Sequence, residues 1–538
     1  MNFSKSNESL SGIRKLFFIS FSILSIILIV QILICIYKNG MFSYPLDDTY
    51  IHMAIAKNIV RHGVWGISKY GFTSSSSSIL YPLVLSLFYL VAGPNIWAPL
   101  VINWVAAGMI LYFVIKWTRT YLSWIGTLLF SILFIFLVPL PVIVLIGMEH
   151  TLHVLFCLIF IYITFKKFNG YRFSNLVYLL TAALAVSFRY ESMFLVGFTA
   201  LSWLIIPGKR YIFFILVLGI VIPITCFGIY SIYHGGFFLP NSLLVKGPDS
   251  YHSVSQFIIS SLKKIYDSGL IYSLMFVPGV YFFIFPIGRE KSLEKHSIHL
   301  LLFVIACTCL AHFLFARLGR PYRYGAYLIA LELMFLPVIF SQVMGSFKSM
   351  SFYGRLGIVF FSILLYLPVL FRFGATFKNN ISMSNIRNQQ VYMALFLKKY
   401  FPTTTVALND IGAVAFYNDN VRIFDLVGLA NNDVIRYHSG SGDSAFLKKY
   451  IANDHVKMAI VYPDWIGWLG YTKPSAWKMI GSWYLKDNYI AGNSRVSFYS
   501  IDPAVKDTLT KALESYSSVL PSNVIQEGEF MRQAKKRE

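Results

Sequence analysis

Apolar runs separated by short polar segments dominate roughly the first 370 residues of the chain. A hydrocarbon core of about 30 Å is crossed by about 20 residues of α-helix. About eleven runs approach this length, at residues 16–36, 97–115, 122–138, 151–165, 174–188, 192–206, 211–232, 270–287, 298–316, 325–341 and 356–371. The pattern predicts an α-helical polytopic membrane protein with about 11 transmembrane helices.

One further apolar run, residues 79–92, is too short to count as a crossing. It contains Pro82 and ends at Gly93-Pro94, which is typical of an interfacial or re-entrant segment. When this run is left out, loops rich in Lys and Arg alternate along the chain, and such loops are cytoplasmic. We therefore predict a cytoplasmic N-terminus and a first external loop, residues 38–96, that contains interfacial helices.

Beyond Phe371 the pattern changes to alternating helices and strands, which is typical of a soluble α/β domain. Helices are predicted at 389–400 and 446–451, and strands at 405–408, 421–425 and 456–462. The chain then divides into a transmembrane domain (1–371), an extracytoplasmic, periplasmic α/β domain (372–520) and a mobile polar tail (521–538). Such a multi-pass protein is expected in the cell (inner) membrane.

Composition supports the membrane assignment, with 57% hydrophobic and 13% charged residues. The net charge of +22 does not indicate nucleic-acid binding, because the basic residues are scattered through short loops, where membrane topology explains them. All five cysteines fall in or beside apolar runs. This placement argues against a disulfide framework and against a thiolate metal site.

Two adjacent aspartates, Asp47 and Asp48, follow the first apolar run. Ionisable residues beside hydrocarbon are costly and mark a functional site by default. Ile51, Ile55 and Ile59 recur every four residues behind them, so we predict an interfacial helix with one face in lipid. The alternative is that one aspartate only caps a helix start through backbone N–H groups.

Two further pairs of polar residues are predicted on the same side of the membrane. Glu149 and His150 precede an apolar run, and Arg189 and Glu191 lie where two short runs meet. The alternatives are a helix cap for Glu149 and a structural ion pair between Arg189 and Glu191. The serines of residues 74–78 are interpreted as local low complexity in a surface loop.

Transfer of a sugar from a polyprenyl phosphate fits carboxylates and cations placed at a membrane edge. A carboxylate removes the proton of the acceptor hydroxyl, and the leaving phosphate needs cationic or metal stabilisation. Tyr322 and Tyr324 are possible platforms for the sugar. The available cations on this side are Lys246, Arg317, Arg320 and Arg323.

The order of elements resembles the GT-C superfamily of polyprenyl-phosphate-sugar glycosyltransferases. Its motifs are similar to the branch containing the mycobacterial terminal arabinofuranosyltransferases, and they are Asp47-Asp48-Thr49-Tyr50-Ile51, Gly71-Phe72-Thr73-Ser74 with Tyr81-Pro82-Leu83, Gly147-Met148-Glu149, Arg189-Tyr190-Glu191, the segment 240–246 and the segment 425–429. His150 and Ser242 stand where threonines are expected in that branch.

The resemblance implies a catalytic base at Asp47 or Asp48, with the other residue orienting the acceptor or a divalent cation (Mg, Mn or Ca). We prefer Asp47 as the base, because His52 lies one helical turn from Asp48 and would hold it. Glu149 would be a further catalytic acid. The predicted donor and phosphate ligands are Lys246, Arg189, Arg320, Arg323 and His52, and the substrate-lining residues are Glu191, His150, Asn241, Tyr322 and Tyr324.

The predicted function is transfer of a single sugar, with inversion, to a glycan or glycolipid acceptor by a monomeric enzyme in the lipid bilayer. A transporter or flippase of lipid-linked saccharides is the first alternative, although the sequence shows no repeated halves of the kind such proteins have. A glycan ligase or polymerase is the second. It would share the substrates but not a first external loop that begins with an aspartate pair.

Overall fold

The computed structural model describes residues 10–245, 255, 259–260, 293–316, 323–346, 352–439, 452, 454–469 and 473–534. The membrane part contains fourteen described helices that the following ranges define. They are α1 (Leu10–Asn39), α2 (Asp47–His62), α3 (Tyr81–Ala92), α4 (Ala98–Thr118), α5 (Trp124–Leu137), α6 (Leu140–Ile146), α7 (His150–Phe168), α8 (Asn175–Phe188), α9 (Ser192–Leu204), α10 (Tyr211–Tyr233), α11 (Asn241–Val245), α12 (Leu293–Phe315), α13 (Ala326–Ser346) and α14 (Phe352–Ile386).

Six helices in the described part of the chain are long and apolar enough to cross a membrane. They are α1, α4, α7, α10, α13 and the His296–Phe315 portion of α12, and the bent pair α5 and α6 would make a seventh span. The helices α8 and α9 are shorter, as their interrupted sequence predicts. The predicted crossing at 270–287 lies outside the described residues. The multi-pass membrane architecture is confirmed, while the count of eleven stays a prediction.

The segment after the membrane helices contains a six-stranded mixed sheet. Its elements are α15 (Tyr392–Tyr400), β1 (Thr405–Leu408), α16 (Gly412–Tyr417), β2 (Arg422–Asp425), α17 (Asn432–Ser439), β3 (Met458–Val461), α18 (Pro463–Trp468), β4 (Lys478–Leu485), β5 (Arg495–Ser500), α19 (Lys506–Tyr516), β6 (Val524–Gly528) and α20 (Glu529–Ala534). The strand order is β2-β1-β3-β5-β4-β6. The strands β2, β1 and β3 are parallel, and the other pairings are antiparallel.

The chain runs from β1 to β2 on one side and then returns to β3 on the other side of β1, so the direction of the connections changes at β1. In open α/β sheets, such a point at the carboxyl ends of parallel strands is where binding loops converge. The loop after β1 leads into α16, and α16 packs against α2 of the membrane part. The carboxyl end of β1 therefore leads to the surface that packs against the first external loop.

Most of the C-terminal segment, which we predicted to be mobile, is folded onto the sheet. Val524–Gly528 pair with β4 in an antiparallel register, and Phe530 behind them is fully buried. The prediction of a mobile tail is wrong for residues 524–534, because its few apolar residues complete the sheet. The predicted boundary at residue 372 falls inside the continuous helix α14, so composition changes there before the secondary structure does.

Candidate active site

The helix α2 carries most of the candidate residues, and it is enclosed by protein. Ile51 is 4% exposed, and Ala54 and Ile55 are fully buried. The helix packs between α3 and α16. The predicted lipid-facing side of α2 is therefore wrong, because its apolar positions are covered by another helix of the first external loop and by the soluble domain.

Asp47 points from the start of α2 to the soluble domain. Its Oδ2 accepts a hydrogen bond of 2.6 Å from the backbone N–H of Gly412, and its Oδ1 accepts one of 2.8 Å from Ala413. These are the first free N–H groups of α16. Asp47 thus caps a helix, as the alternative reading proposed, but the helix belongs to the soluble domain instead of being its own.

Burial and the nearby carboxylate of Asp410 raise the pKa of Asp47 to about 8, whereas the two N–H donors act in the opposite direction. A raised pKa favours a base, but a base must first be placed within reach of the proton it removes. Both oxygens of Asp47 are held by α16. This geometry favours a positioning task for Asp47.

Asp48 points the other way, into the membrane part. Its Oδ2 accepts a hydrogen bond of 2.8 Å from Nη2 of Arg323, and its side chain is 25% exposed, more than those of the other acids in this region. Arg323 also donates to the hydroxyl of Tyr324 at 2.8 Å and lies over its ring. The Asp48 carboxylate is therefore paired with a cation and also partly exposed to solvent.

Glu149 occupies a turn that the sequence makes tight. Gly147 ends α6 with φ of 69°, and a Cβ there would lie 2.4 Å from the ring of Tyr44. Only glycine fits this combination of positive φ and close approach. The carbonyl of Gly147 accepts a hydrogen bond of 2.7 Å from the hydroxyl of Tyr81. The turn thereby places Glu149 at the buried start of α7.

Three groups surround the fully buried Glu149. Its Oε1 accepts hydrogen bonds from Arg189 Nη1 at 2.6 Å and from the hydroxyl of Ser77 at 2.9 Å, and His52 Nε2 lies 3.2 Å from Oε2. Burial opposes its charge, but His52, His150 and Arg189 outweigh burial and hold the pKa of Glu149 well below its usual range. Glu149 stands at the N-cap position of α7, but its side chain makes no helix-capping hydrogen bond.

Arg189 joins Glu149 to the second acid, Glu191. It donates to Glu191 through Nε at 3.0 Å and Nη2 at 2.5 Å, in the parallel two-bond geometry that arginine and carboxylate prefer. The ion pair given above as the structural alternative is present, and it extends to Glu149. The Arg189 guanidinium also lies 5.1 Å from the ring of Tyr324. Tyr324 is thus flanked by Arg189 and Arg323.

Unsatisfied nitrogens face this cluster. His150 is 1% exposed, and neither of its ring nitrogens has a hydrogen-bond partner among the described residues. Its ring packs edge-on against Tyr324 at 5.7 Å. Nε of Arg323 is also buried without a partner. Buried polar groups are normally paired, so Nε of Arg323 and one ring N–H of His150 are available to a bound group that accepts hydrogen bonds.

The serine run is part of the site. Ser76 and Ser77 contact His52 and Glu149 through their hydroxyls, and the carbonyl of Ser74 accepts a hydrogen bond from the backbone N–H of Asn241. Residues 74–76 and 78 are buried. The surface-loop interpretation is wrong, because these serines are buried and the hydroxyls of Ser76 and Ser77 contact the buried side chains of His52 and Glu149.

The structure brings eight of the predicted residues into one continuous network of side-chain contacts. They are Asp48, His52, Glu149, His150, Arg189, Glu191, Arg323 and Tyr324. His52 contacts Glu149 and Ser76, whereas we expected it to hold Asp48. Asn241 binds Asn432 of the soluble domain at 2.9 Å. Lys246, Arg320 and Tyr322 lie outside the described residues.

The sequence did not reveal the roles of Ser76, Ser77 and Gly412. Each contact joins residues 24 to 365 positions apart, and no local spacing encodes such a pair.

The carboxylates of Asp47 and Asp48, the predicted cation ligands, bind different elements of the protein and do not point to a common position. Among the described residues no group of three His, Cys, Asp or Glu side chains could hold a metal ion, and metal dependence stays a prediction.

Comparisons with known proteins concern the soluble domain and the whole fold separately. A family model described as a domain of unknown function, DUF8728, matches residues 380–499. No curated protein matches the chain by sequence. The family model thus recognises part of the soluble domain without assigning it a task.

Solved structures match over most of the chain. ArnT from Cupriavidus metallidurans bound to undecaprenyl phosphate gives a TM-score of 0.50 at 10% identity, covering 90% of this chain and 99% of that one. Its apo state gives 0.48 at 12% identity, with 90% and 98% covered. The Archaeoglobus fulgidus oligosaccharyltransferase tethered with an acceptor peptide gives 0.47 at 11% identity, with 94% and 75% covered. The likeness to undecaprenyl-phosphate-bound ArnT shows the fold, and this chain has the GT-C fold that its motif order predicts.

Proposed function

We propose that the protein is a membrane glycosyltransferase that moves a sugar from a polyprenyl-phosphate donor to a glycan or glycolipid acceptor on the extracytoplasmic face. The observation that carries the proposal is Asp48, a partly exposed carboxylate paired with Arg323 in the cluster that also contains Arg189 and Tyr324. The fold supports it, since the matched ArnT structure is described as bound to undecaprenyl phosphate.

Asp48 acts as the general base in this proposal. Its carboxylate takes the proton of the acceptor hydroxyl while the acceptor oxygen forms a bond to the anomeric carbon. The bond from that carbon to the donor phosphate oxygen breaks, and its electron pair leaves with the polyprenyl phosphate. Direct displacement of this kind inverts the anomeric configuration. Asp48 is preferred over Asp47 because both oxygens of Asp47 are held by α16.

The leaving phosphate is stabilised by the cations beside Asp48. Among the described residues, Nε of Arg323 and the two ring nitrogens of His150 have no hydrogen-bond partner, and a neutral imidazole donates through one of its two nitrogens. Hydrogen bonds from charged or polar N–H groups to phosphate oxygens strengthen as negative charge develops. Each of the three nitrogens of Arg189 donates to a glutamate, so it contributes charge and holds Tyr324 in place. Donation by Arg323 and His150 thus lowers the barrier to phosphate departure.

The test is sugar transfer by purified protein supplied with polyprenyl-phosphate sugars of different kinds. Asp48→Asn is expected to lower turnover by about 10² to 10⁴, the usual contribution of a general base. Asp433→Asn is the matched control, because Asp433 is 40% exposed and pairs only with the neighbouring Arg436 among its described contacts. Turnover of Asp48→Asn close to that of wild type would overturn Asp48 as the base.

Arg323→Gln separates the phosphate role from the base role. It removes the charge beside Asp48 and the donors to phosphate, so affinity for polyprenyl phosphate alone should fall along with turnover. Asp48→Asn should leave that affinity within a few-fold of wild type. If Arg323→Gln binds polyprenyl phosphate as wild type does, the cation does not contact the donor.

A further inference from the structure

The short helix α16 of the soluble domain is held at both ends by hydrogen bonds with side chains on α2. Asp47 binds its first N–H groups, and Nζ of Lys57 donates to the carbonyls of Ala415 and Phe416 in its last turn, at 3.1 and 2.6 Å. A helix carries partial positive charge at its N-terminus and partial negative charge at its C-terminus. The acid and the base therefore sit at the ends that suit them.

The two helices run in parallel, since residues 47 and 57 of α2 meet the start and end of α16 in that order. Ten residues of α-helix extend about 15 Å. Lys57 also pairs with Asp419 at 2.7 Å, and its side chain is 4% exposed. A buried ammonium with three oxygen partners therefore fixes α2 to the soluble domain ten residues after Asp47.

Contact between the helices leaves no room for adjustment at one point. A Cβ on Gly412 would lie 2.1 Å from the backbone oxygen of Asp47, far inside any van der Waals distance. The backbones of the two domains thus touch at Asp47, the residue immediately before Asp48. A shift of α16 relative to α2 would therefore displace Asp47.

We propose that α16 is a clamp that sets the position of α2, and that Asp47 and Lys57 are positioning residues through which the soluble domain orders the site. The opposite face of α2 carries Asp48, paired with Arg323, and His52, paired with Glu149. Holding α2 at both ends fixes these two side chains. The inference rests on the proposed function for its catalytic consequence, whereas the clamp itself is a structural claim.

Lys57→Met is the decisive variant, because Lys57 lies nine residues, or about 13 Å of helix, from Asp48 and touches no proposed reacting group. Loss of positioning is expected to lower kcat by about 10- to 100-fold with the donor KM within about threefold of wild type. Lys57→Arg keeps the charge and should retain most of the turnover. The pH profile of the remaining activity should stay that of wild type, since Asp48 is unchanged.

Variants of Asp47 separate positioning from base catalysis. Asn keeps one oxygen acceptor for α16 and Ala keeps none, so a clamp predicts turnover in the order wild type, Asp47→Asn, Asp47→Ala. Neither variant has a carboxylate. Equal and complete loss in both would identify Asp47 as the base and overturn its positioning role.

Hydrogen exchange measured by mass spectrometry tests the clamp independently of sugar transfer, because it reports how firmly the backbone amides of α2 and α16 are held. Segments 412–417 and 47–52 should exchange faster in Lys57→Met and Asp47→Ala, and as wild type in Lys57→Arg and Asp48→Asn. Unchanged exchange in Lys57→Met would overturn the clamp, and faster exchange with wild-type kcat would overturn its positioning role. Retained turnover in Asp48→Asn, with the exchange results as expected, would instead remove the proposed function.

Discussion

Adjacent carboxylates in this protein have different surroundings because successive residues of a helix point about 100° apart. Asp47 faces the backbone of α16 and Asp48 faces Arg323. The sequence predicted that this pair was important, since carboxylates beside hydrocarbon are costly. It could not assign their tasks, because both partners lie more than 270 residues further along the chain.

Glu149, Arg189 and Glu191 were predicted from their positions at the ends of apolar runs, and they meet in the structure. Their meeting follows from topology, because loops that alternate with basic ones lie on the same side of the membrane. The hydroxyls of Ser76 and Ser77 had no such signal. A run of serines is compositionally ordinary for a loop, and only its burial beside charged groups gives it a task.

The arginine that bridges two glutamates predicts a stability change in acid. Burial opposes the charge of Glu191, but Arg189 outweighs it and lowers the pKa of Glu191 to about 2. A lowered pKa stabilises the folded state above the unfolded value of about 4.3, and this contribution is lost as pH falls toward 2. We expect the melting temperature of the detergent-solubilised protein to drop across this window.

Glu191→Gln tests the assignment. The variant should melt at a lower temperature than wild type at pH 7, because it leaves Arg189 with one carboxylate fewer, and the difference should narrow as pH falls from about 4 to 2. The exposed pair formed by Asp433 supplies the comparison, since Asp433→Asn is expected to change little. A constant difference across the acid range would contradict the expected link to Glu191.

At the scale of elements, periodicity located helices better than it located their surroundings. The isoleucines of α2 recur as an amphipathic helix requires, and α2 forms at Asp47–His62. The pattern predicts an apolar face but does not tell whether lipid or protein covers it. Here protein covers it, because the soluble domain packs against the first external loop. No local spacing in the sequence encodes that contact.

The final strand shows the same limit and yields a prediction. Phe530 is fully buried against Gly481, whose missing side chain makes room for its ring. Phe530→Ala should lower the free energy of unfolding of the soluble domain by about 3 to 5 kcal/mol. Urea titration of the full chain in detergent, followed by the fluorescence of tryptophans such as the buried Trp483, would measure it.

Ile525→Ala is the matched control for Phe530→Ala. Ile525 lies on the same terminal strand, but it is 44% exposed, so truncation should cost less than about 1 kcal/mol. Equal effects of the two substitutions would mean that Phe530 is not part of the folded sheet. Wild-type stability of Phe530→Ala would restore the view of the tail as mobile.

For the whole molecule, the order of weak motifs predicted the GT-C fold, which the structural likeness confirms. No single motif was sufficient, but their sequence along the chain restricts which architecture they fit. The branch with the mycobacterial arabinofuranosyltransferases stays a prediction, as does the identity of the sugar. These depend on the shape of a site to which several distant loops contribute.

The orientation of the molecule is open to a direct test. Basic loops predict that the soluble sheet lies outside the cytoplasm. In a variant without native cysteines, Ala504→Cys in the soluble domain should react with a membrane-impermeable maleimide on intact spheroplasts, and Arg210→Cys should react only after permeabilisation. Both positions are exposed. The reverse labelling pattern would invert the topology and place the site on the cytoplasmic face.

The helix α14 joins the membrane part to the soluble domain without a break over its 35 residues, Phe352–Ile386. A rod of that length is about 52 Å long and transmits rotation as well as distance. Inserting one residue near residue 380 would turn everything beyond it by about 100° and raise it by about 1.5 Å. The connection therefore sets the rotation of the sheet relative to the membrane helices. Insertions that a flexible linker would tolerate would here swing α16 away from α2.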